Sequence, residues 1–361
     1  MKVGVASGDW IHPDRVDDGL EKWGGSGWAR VAQYLPHLTG MEFITGTLIF
    51  DPKHGSFQIR SADEAIHDID VVWMQRLMHS GASTNMKISR SMGQIIINDL
   101  DDWYWGLSAS NNAFLNTHPK YSPEININHY RSILAQSDVV TVSTPYLADR
   151  VKSWVTKCPI LVIPNYVDTQ RFTKHEHTDT DVPLVGWAGS TGHRSNDLET
   201  IAGVIRPMVN AGSIKFHHTG AHPSMKSVAS LVGLRDDQVS TLPLTDHLTY
   251  PSYLKFDVGV VPLNNIPFNR AKSDIKGLEY SASGIPFVAQ NLDAYIDLQR
   301  SLGIGRVAKR PTDWIRHLNA LRSPHVRREE GEACYEAVQH RDIKYGVQIH
   351  QQLFDQCRRP Q

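Results

Sequence analysis

The chain has 361 residues, a formal net charge of −1 and 40% hydrophobic residues, enough apolar content for two cores and a prior of two domains. A near-zero charge excludes a global field drawing the protein to nucleic acid or an anionic membrane. Cys158, Cys334 and Cys357 are far apart and form no C-x-x-C pair, so reduced structural thiols in a cytoplasmic protein are expected.

The opening Met1-Lys2-Val3-Gly4-Val5-Ala6 has the apolar, β-branched character of a strand and lacks a signal-peptide core. No later run reaches membrane-spanning length, so no integral membrane contact is expected. Further strands are expected at Val3–Ser7, Asp70–Met74, Gln94–Asn98, Asp138–Val142 and Ile160–Pro164, separated by helical patterns. A polar stretch from Asp168 to Asp181 interrupts the alternation and has the composition of a linker. Strands resume at Leu184–Trp187, Ile214–Thr219, Val239–Leu242, Val258–Pro262, Pro286–Ala289 and Arg306–Ala308. Helices are expected at about Pro324–His340 and Tyr345–Cys357, the second able to cross back to the first half. Strand–helix alternation specifies parallel sheets covered on both faces, and two series specify two doubly wound domains. Ligands of that architecture sit beyond the carboxyl ends of the strands, so post-strand loops are the places to search.

Five segments stand out. Gly24-Gly25-Ser26-Gly27 precedes a helix containing Arg30, and glycines at a helix start let amides approach an anion. Asn98-Asp99-Leu100-Asp101-Asp102 is followed by Trp103, Tyr104 and Trp105, a composition suited to a sugar or acceptor pocket or to an acidic helix start. Asp99 and Asp101 also match a metal-binding D-x-D. Gly186-Trp187-Ala188-Gly189-Ser190-Thr191-Gly192-His193-Arg194 sits at a strand-to-helix junction that suits a pyrophosphate. The loop Pro262–Arg270 then leads into the segment Lys272–Pro286. At about 100° per residue, Lys272, Lys276 and Glu279 share one face of a helix, beside an apolar stripe of Ala271, Ile275, Leu278 and Ala282. Two cations and a carboxylate on one face fit a diphosphate and a diol; an i,i+3 Lys276–Glu279 pair on a solvated face has the same pattern. His175-Glu176-His177 and His217-His218 lack the i,i+4 spacing of a helical metal site, and no metal ligands are expected there.

In this order the segments resemble the landmarks of the GT-B nucleotide-sugar glycosyltransferases, specifically the retaining group related to glycogen and sucrose synthases. The likeness runs through Gly24–Gly27 with Arg30, Val142-Ser143-Thr144-Pro145-Tyr146-Leu147, Ile163-Pro164-Asn165-Tyr166-Val167-Asp168, Gly186–Ser190, Asp257–Leu263 and Lys272–Pro286. It implies an α/β fold of two Rossmann-like domains facing a central cleft. Residues 1–168 would form the acceptor domain and residues 183–340 the donor domain, with a helix at about 341–361 crossing back.

The resemblance further implies donor contacts from Gly25, Ser26, Gly27, Gly189, Ser190, Thr191, Arg194, Asn269, Lys272, Ser273, Lys276 and Glu279. Glu279 matches the second glutamate of the group's E-x7-E motif, which contacts ribose; Ala271 stands where the first should be, leaving backbone groups near Asn269–Ser273 to meet the sugar. Arg194 and Lys272 would stabilise the leaving diphosphate, and Asp101 and Asp102 lie where a catalytic-region histidine is otherwise found. The implied reaction moves a sugar from a nucleoside diphosphate, UDP before GDP, with retention and without metal or other cofactor. The acceptor would be a glycan, protein or small molecule ahead of a modified DNA base. A sugar-nucleotide 2-epimerase and a non-catalytic glycan-binding relative share these features.

Overall fold

The computed structural model describes residues 1–9, 23–61, 64–66, 68–192 and 196–357. The first half contributes β1 (Lys2–Ser7), β2 (Glu42–Thr45), β3 (Thr47–Asp51), β4 (Ser56–Ser61), β5 (Glu64–Ile66), β6 (Val71–Gln75), β7 (Ile95–Leu100), β8 (Val139–Val142) and β9 (Ile160–Val162). The second contributes β10 (Leu184–Ala188), β11 (Lys215–Ala221), β12 (Val239–Pro243), β13 (Val258–Val261), β14 (Phe287–Gln290) and β15 (Arg306–Ala308). Two six-stranded sheets result, ordered β2-β1-β6-β7-β8-β9 and β12-β11-β10-β13-β14-β15. The neighbouring strands within both are paired in parallel.

The apolar runs explain the parallel pairing. β6 and β13 are buried along their whole length, as a strand covered on both faces requires. The first sheet has flavodoxin-like order and the second has dinucleotide-fold order, so each reverses winding direction once, beside β1 and beside β10. A small antiparallel sheet, β3-β4-β5, is inserted after β2. Its Phe57 and Ile59 seal the first domain's second core, with Val72, Met74 and Met86.

The helix Ile343–Gln356 packs Ile343, Leu353 and Phe354 into the first domain's core with Val3, Val5 and Trp73, although its sequence follows the second domain. Among the described residues, no helix is long and apolar enough to cross a membrane.

Candidate functional site

The loops that leave the two reversal points face each other across a cleft of about 400 Å³. The second domain contributes Gly189 and Ser190 after β10, Pro262 and Leu263 after β13, and the helix Ile275–Ala282. The first domain contributes Gly25 and Ser26 after β1, and Asp101 and Asp102 after β7. This is where doubly wound sheets bind ligands.

On the second domain's wall the backbone is tightly drawn. Gly189 adopts φ 147°, and its carbonyl accepts from His218 Nε2 at 2.8 Å. Gly220, at φ 113°, lies so close that a β-carbon there would sit 2.7 Å from the Gly189 oxygen, so both positions require glycine. Lys272, Lys276 and Glu279 all line the cleft, although the regular helix begins only at Ile275. Ala271, Leu278 and Ala282 are fully buried, as their stripe predicts. Lys276 donates to the Ala188 carbonyl at the end of β10. Glu279 accepts from the Tyr250 hydroxyl at 2.8 Å.

The opposite wall is acidic. Lys272 Nζ reaches across to stand 3.3 Å from both oxygens of Asp102. Burial is the largest influence on Asp102 and pushes its carboxyl up to about 6; Lys272 opposes that rise, while Asp101 adds to it. Behind them Arg76 holds Asp9 at 3.0 Å and lies over the Tyr104 ring. Its φ of 53° puts a bulky side chain in the left-handed region.

Arg30 has a different task from binding a phosphate. It is 1% exposed, and its guanidinium takes both oxygens of Asp99 at 2.7 and 3.0 Å. It also donates to the Ile163 carbonyl at 2.6 Å and to Asn165 Oδ1 at 2.8 Å. Burial works to lower its pKa, and the Asp99 carboxylate overrides that and holds it up. Asn165 passes the chain of bonds onward, donating to Ser273 Oγ at 2.7 Å. Arg341 completes the junction, donating to the Asn165 carbonyl and to both oxygens of Asp274. A buried polar relay therefore fixes the start of the cleft helix to the first domain.

At the Glu279 end, three side chains close the cleft. His247, from the loop after β12, stacks on Trp28 with ring centres 5.3 Å apart and an interplanar angle of 10°. It also bonds the Trp23 carbonyl at 2.8 Å. Burial pushes its pKa down, keeping the imidazole neutral. Arg171, from the linker, lies 4.5 Å over the Trp28 ring and donates to the His247 carbonyl.

Of the residues expected at the site, Gly25, Ser26, Asp101, Asp102, Gly189, Ser190, Lys272, Ser273, Lys276 and Glu279 line this one cleft. Three lie outside its lining. The Gly27 N–H donates to Asp9 Oδ2 at 3.0 Å, so a carboxylate already occupies that short helix's N-terminus. A β-carbon at Gly24 would fall 2.4 Å from the same carboxyl group, so a larger residue there would displace Asp9. Asn269 is 2% exposed and donates to Asp197 Oδ1 and the Asn264 carbonyl at 2.6 and 2.9 Å. Thr191 donates to the Lys226 carbonyl at 2.9 Å on the surface. Arg194 lies outside the described residues.

The Asp99–Trp105 segment divides. Asp99 also accepts from Thr141 at 2.6 Å and, with Arg30 on both oxygens, has no free face for a D-x-D metal site. Trp103, Tyr104 and Trp105 do not face the cleft as a sugar platform. Trp103 stacks on Trp154 at 5.2 Å, Trp105 on Tyr130 at 5.8 Å, and Tyr104 meets Phe268 edge-on at 6.2 Å. They form the apolar seam between the domains, with Phe268 and Ala271 from the second. Trp28, Arg171, His247 and Tyr250 were not legible as site residues, because no short-range spacing links an aromatic after β1 to a loop more than 200 positions later.

No family model matches the chain, and no curated protein matches it. Solved structures do. The chain is similar to the glycosyltransferase from Rickettsia africae ESF-5, with TM-score 0.63, 11% identity, and coverage of 99% of this chain and 98% of that one. It is similar to sucrose-phosphate synthase from Thermosynechococcus elongatus, with TM-score 0.62, 17% identity and 98% coverage of both chains. Anabaena HepE in complex with UDP gives TM-score 0.60 and 11% identity, covering 99% of this chain and 100% of that one. The cleft between two doubly wound sheets and the full-length superpositions agree: the chain has the GT-B glycosyltransferase fold.

Proposed function

We propose that the chain is a glycosyltransferase that moves a sugar from a nucleoside-diphosphate sugar, a UDP-sugar first, to an acceptor hydroxyl, with retention and without a metal. One observation carries this reading. Lys272, Lys276 and Glu279 face the cleft from one helix, while Asp102 faces Lys272 from the other domain. Neighbouring structures with the same fold hold UDP or UDP-glucose, as in HepE.

The chemistry follows from where charge develops. Breaking the sugar–phosphate bond leaves negative charge on the diphosphate and oxocarbenium character on the sugar. Lys272 and Lys276 lie where cations preorganised for that departing charge are needed. Glu279 accepts from ribose hydroxyls, held in position by Tyr250. Trp28, His247, Arg171, Leu244 and Thr245 line the same end, where the base would lie. Asp102 orients a hydroxyl at the reacting end. On the retaining path, the leaving phosphate accepts the acceptor's proton on the same face, so no protein nucleophile is required. Residues 1–168 act as the acceptor-side domain and residues 183–340 as the donor-side domain.

The test is a thermal-shift panel of UDP, GDP, ADP, CDP and dTDP with EDTA, followed by turnover of the matching sugar nucleotides. A concentration-dependent rise with UDP in EDTA supports the reading. No rise with any nucleotide overturns it. Conversion of the donor to its 2-epimer without acceptor replaces transfer by epimerisation.

A further inference from the structure

The linker between the sheets carries a cluster that the cleft chemistry does not use. His175 and His177 are two residues apart on a segment without helix or strand, and both turn toward the same carboxylate. Asp257, immediately before β13, faces both. His175 Nε2 is 3.5 Å from Asp257 Oδ1, and His177 Nδ1 is 3.9 Å from the same oxygen. All three ligand atoms lie within 4.8 Å of one another. Two ligands each bound about 2.1 Å from a tetrahedral ion stand about 3.4 Å apart. The two carboxylate separations are therefore close to what a metal needs, and the two imidazole nitrogens, within 4.8 Å of each other, have to approach by at most about 1.4 Å.

His177 supplies the second observation. Its side chain is 5% exposed, and Nε2 donates to the Gly284 carbonyl at 2.9 Å. That bond puts the ring proton on Nε2 and leaves a lone pair on Nδ1. Nδ1 is buried and has no hydrogen-bond partner. A carbonyl that fixes the tautomer while the other nitrogen faces inward is the usual support of a metal-bound imidazole. Asp257 is held on both oxygens. Its Oδ2 accepts from the Leu184 N–H at 2.9 Å and from the Thr178 hydroxyl at 3.1 Å, and its Oδ1 accepts from the Thr178 N–H at 3.1 Å.

We propose that His175, His177 and Asp257 form a binding site for a borderline transition metal, zinc by class. Two imidazoles and one carboxylate are a zinc donor set. A separate cavity of about 310 Å³, lined by His175 and His177 but not by Asp257, lies beside the group. The site is remote from the cleft. His175 N–H donates to the Ser283 carbonyl at 2.8 Å, at the opposite end of the helix Ile275–Ala282 from Lys272. Eight helical residues span about 12 Å. The metal's task is thus to clamp the linker to the start of β13, beside the far end of the cleft helix. The positive Arg327 nearby turns Nη2 to the Thr178 and Thr180 carbonyls and Nη1 to the Leu321 and Arg322 carbonyls.

The test uses the full chain after chelator treatment, titrated with Zn2+ by calorimetry and with Co2+ by visible absorption. One equivalent of Zn2+ should bind and raise the unfolding midpoint, and Co2+ should show the absorption of a low-coordinate site with nitrogen ligands. His177→Ala should weaken Zn2+ binding at least tenfold while UDP binding stays unchanged. His175→Ala, at the more exposed ring, should do the same and decides the matter if His177→Ala does not fold. Absence of stoichiometric Zn2+ binding, or equal Zn2+ affinity in wild type and His175→Ala, overturns the proposal.

Discussion

Lys272 Nζ stands 3.3 Å from both carboxylate oxygens of Asp102, a cation of the second domain held by an acid of the first. A diphosphate entering the cleft competes for Lys272 and places negative charge near a carboxyl group already pushed up to about 6. Both effects raise that pKa further, so nucleotide binding takes up a proton at pH values just above about 6. Calorimetry of UDP binding in two buffers of different ionisation enthalpy measures the uptake. Asp102→Asn should abolish it. Unchanged uptake in the variant would assign the proton to another group.

Glu279 borders the buried face of its helix without belonging to it. Its carboxylate accepts from the Tyr250 hydroxyl, and the neighbouring Leu278 carries the packing at 0% exposure. Glu279→Ala should weaken UDP about tenfold, the loss of one charged hydrogen bond at ~1.4 kcal/mol. Its unfolding midpoint should move by only a few degrees. Tyr250→Phe should weaken UDP less, since it loosens the carboxylate without removing it. An unfolded Glu279→Ala protein with intact nucleotide affinity in Tyr250→Phe would make the carboxylate structural.

Arg30 concerns stability, despite lying beside the glycine loop. Arg30→Met leaves the Asp99 carboxylate 1% exposed and without its cation. Breaking one side of a buried pair costs about 3–5 kcal/mol. Urea unfolding should show that loss, and limited proteolysis should cut the Asn165–Ser273 junction sooner. A loss below about 1 kcal/mol would mean that water reaches Asp99 and replaces the pair.

The parallel sheets were legible because buried strands announce themselves as apolar, β-branched runs such as Val258–Val261. The Lys272–Glu279 face was legible because helical period is a local property, and it survives although Lys272 precedes the regular helix. The antiparallel insert β3–β5 was not expected: Thr47–Ile66 has short strands with mixed polarity, and its register is set by pairing rather than by composition. Arg30 and Asn269 have the residue types of ligand-binding groups, yet their partners are Asp99 and Asp197, fixed only by folding. The Trp103–Trp105 run has the composition of a sugar platform, yet the other domain covers it through Phe268. His175 and His177 lacked a helical spacing because the segment is not a helix, and Asp257 lies 80 positions downstream.

His350 gives a pH prediction independent of the cleft. It is 2% exposed, stacks on Tyr34 at 4.3 Å and donates from Nδ1 to the Gly346 carbonyl at 2.8 Å. Burial pushes its pKa down from the ordinary 6.5 to about 4. Between those values the unfolded chain binds a proton that the folded chain does not. Stability from this group is therefore complete above pH 6.5 and falls as pH drops towards 4. The full difference is on the order of 3 kcal/mol, of which about 2 kcal/mol is lost between pH 7 and pH 5. His350→Gln keeps a donor for Gly346 but cannot titrate, so its loss of stability between pH 7 and pH 5 should be smaller by that amount. Urea midpoints of both proteins at the two pH values measure it, and parallel losses would mean that the folded protein accommodates a protonated His350.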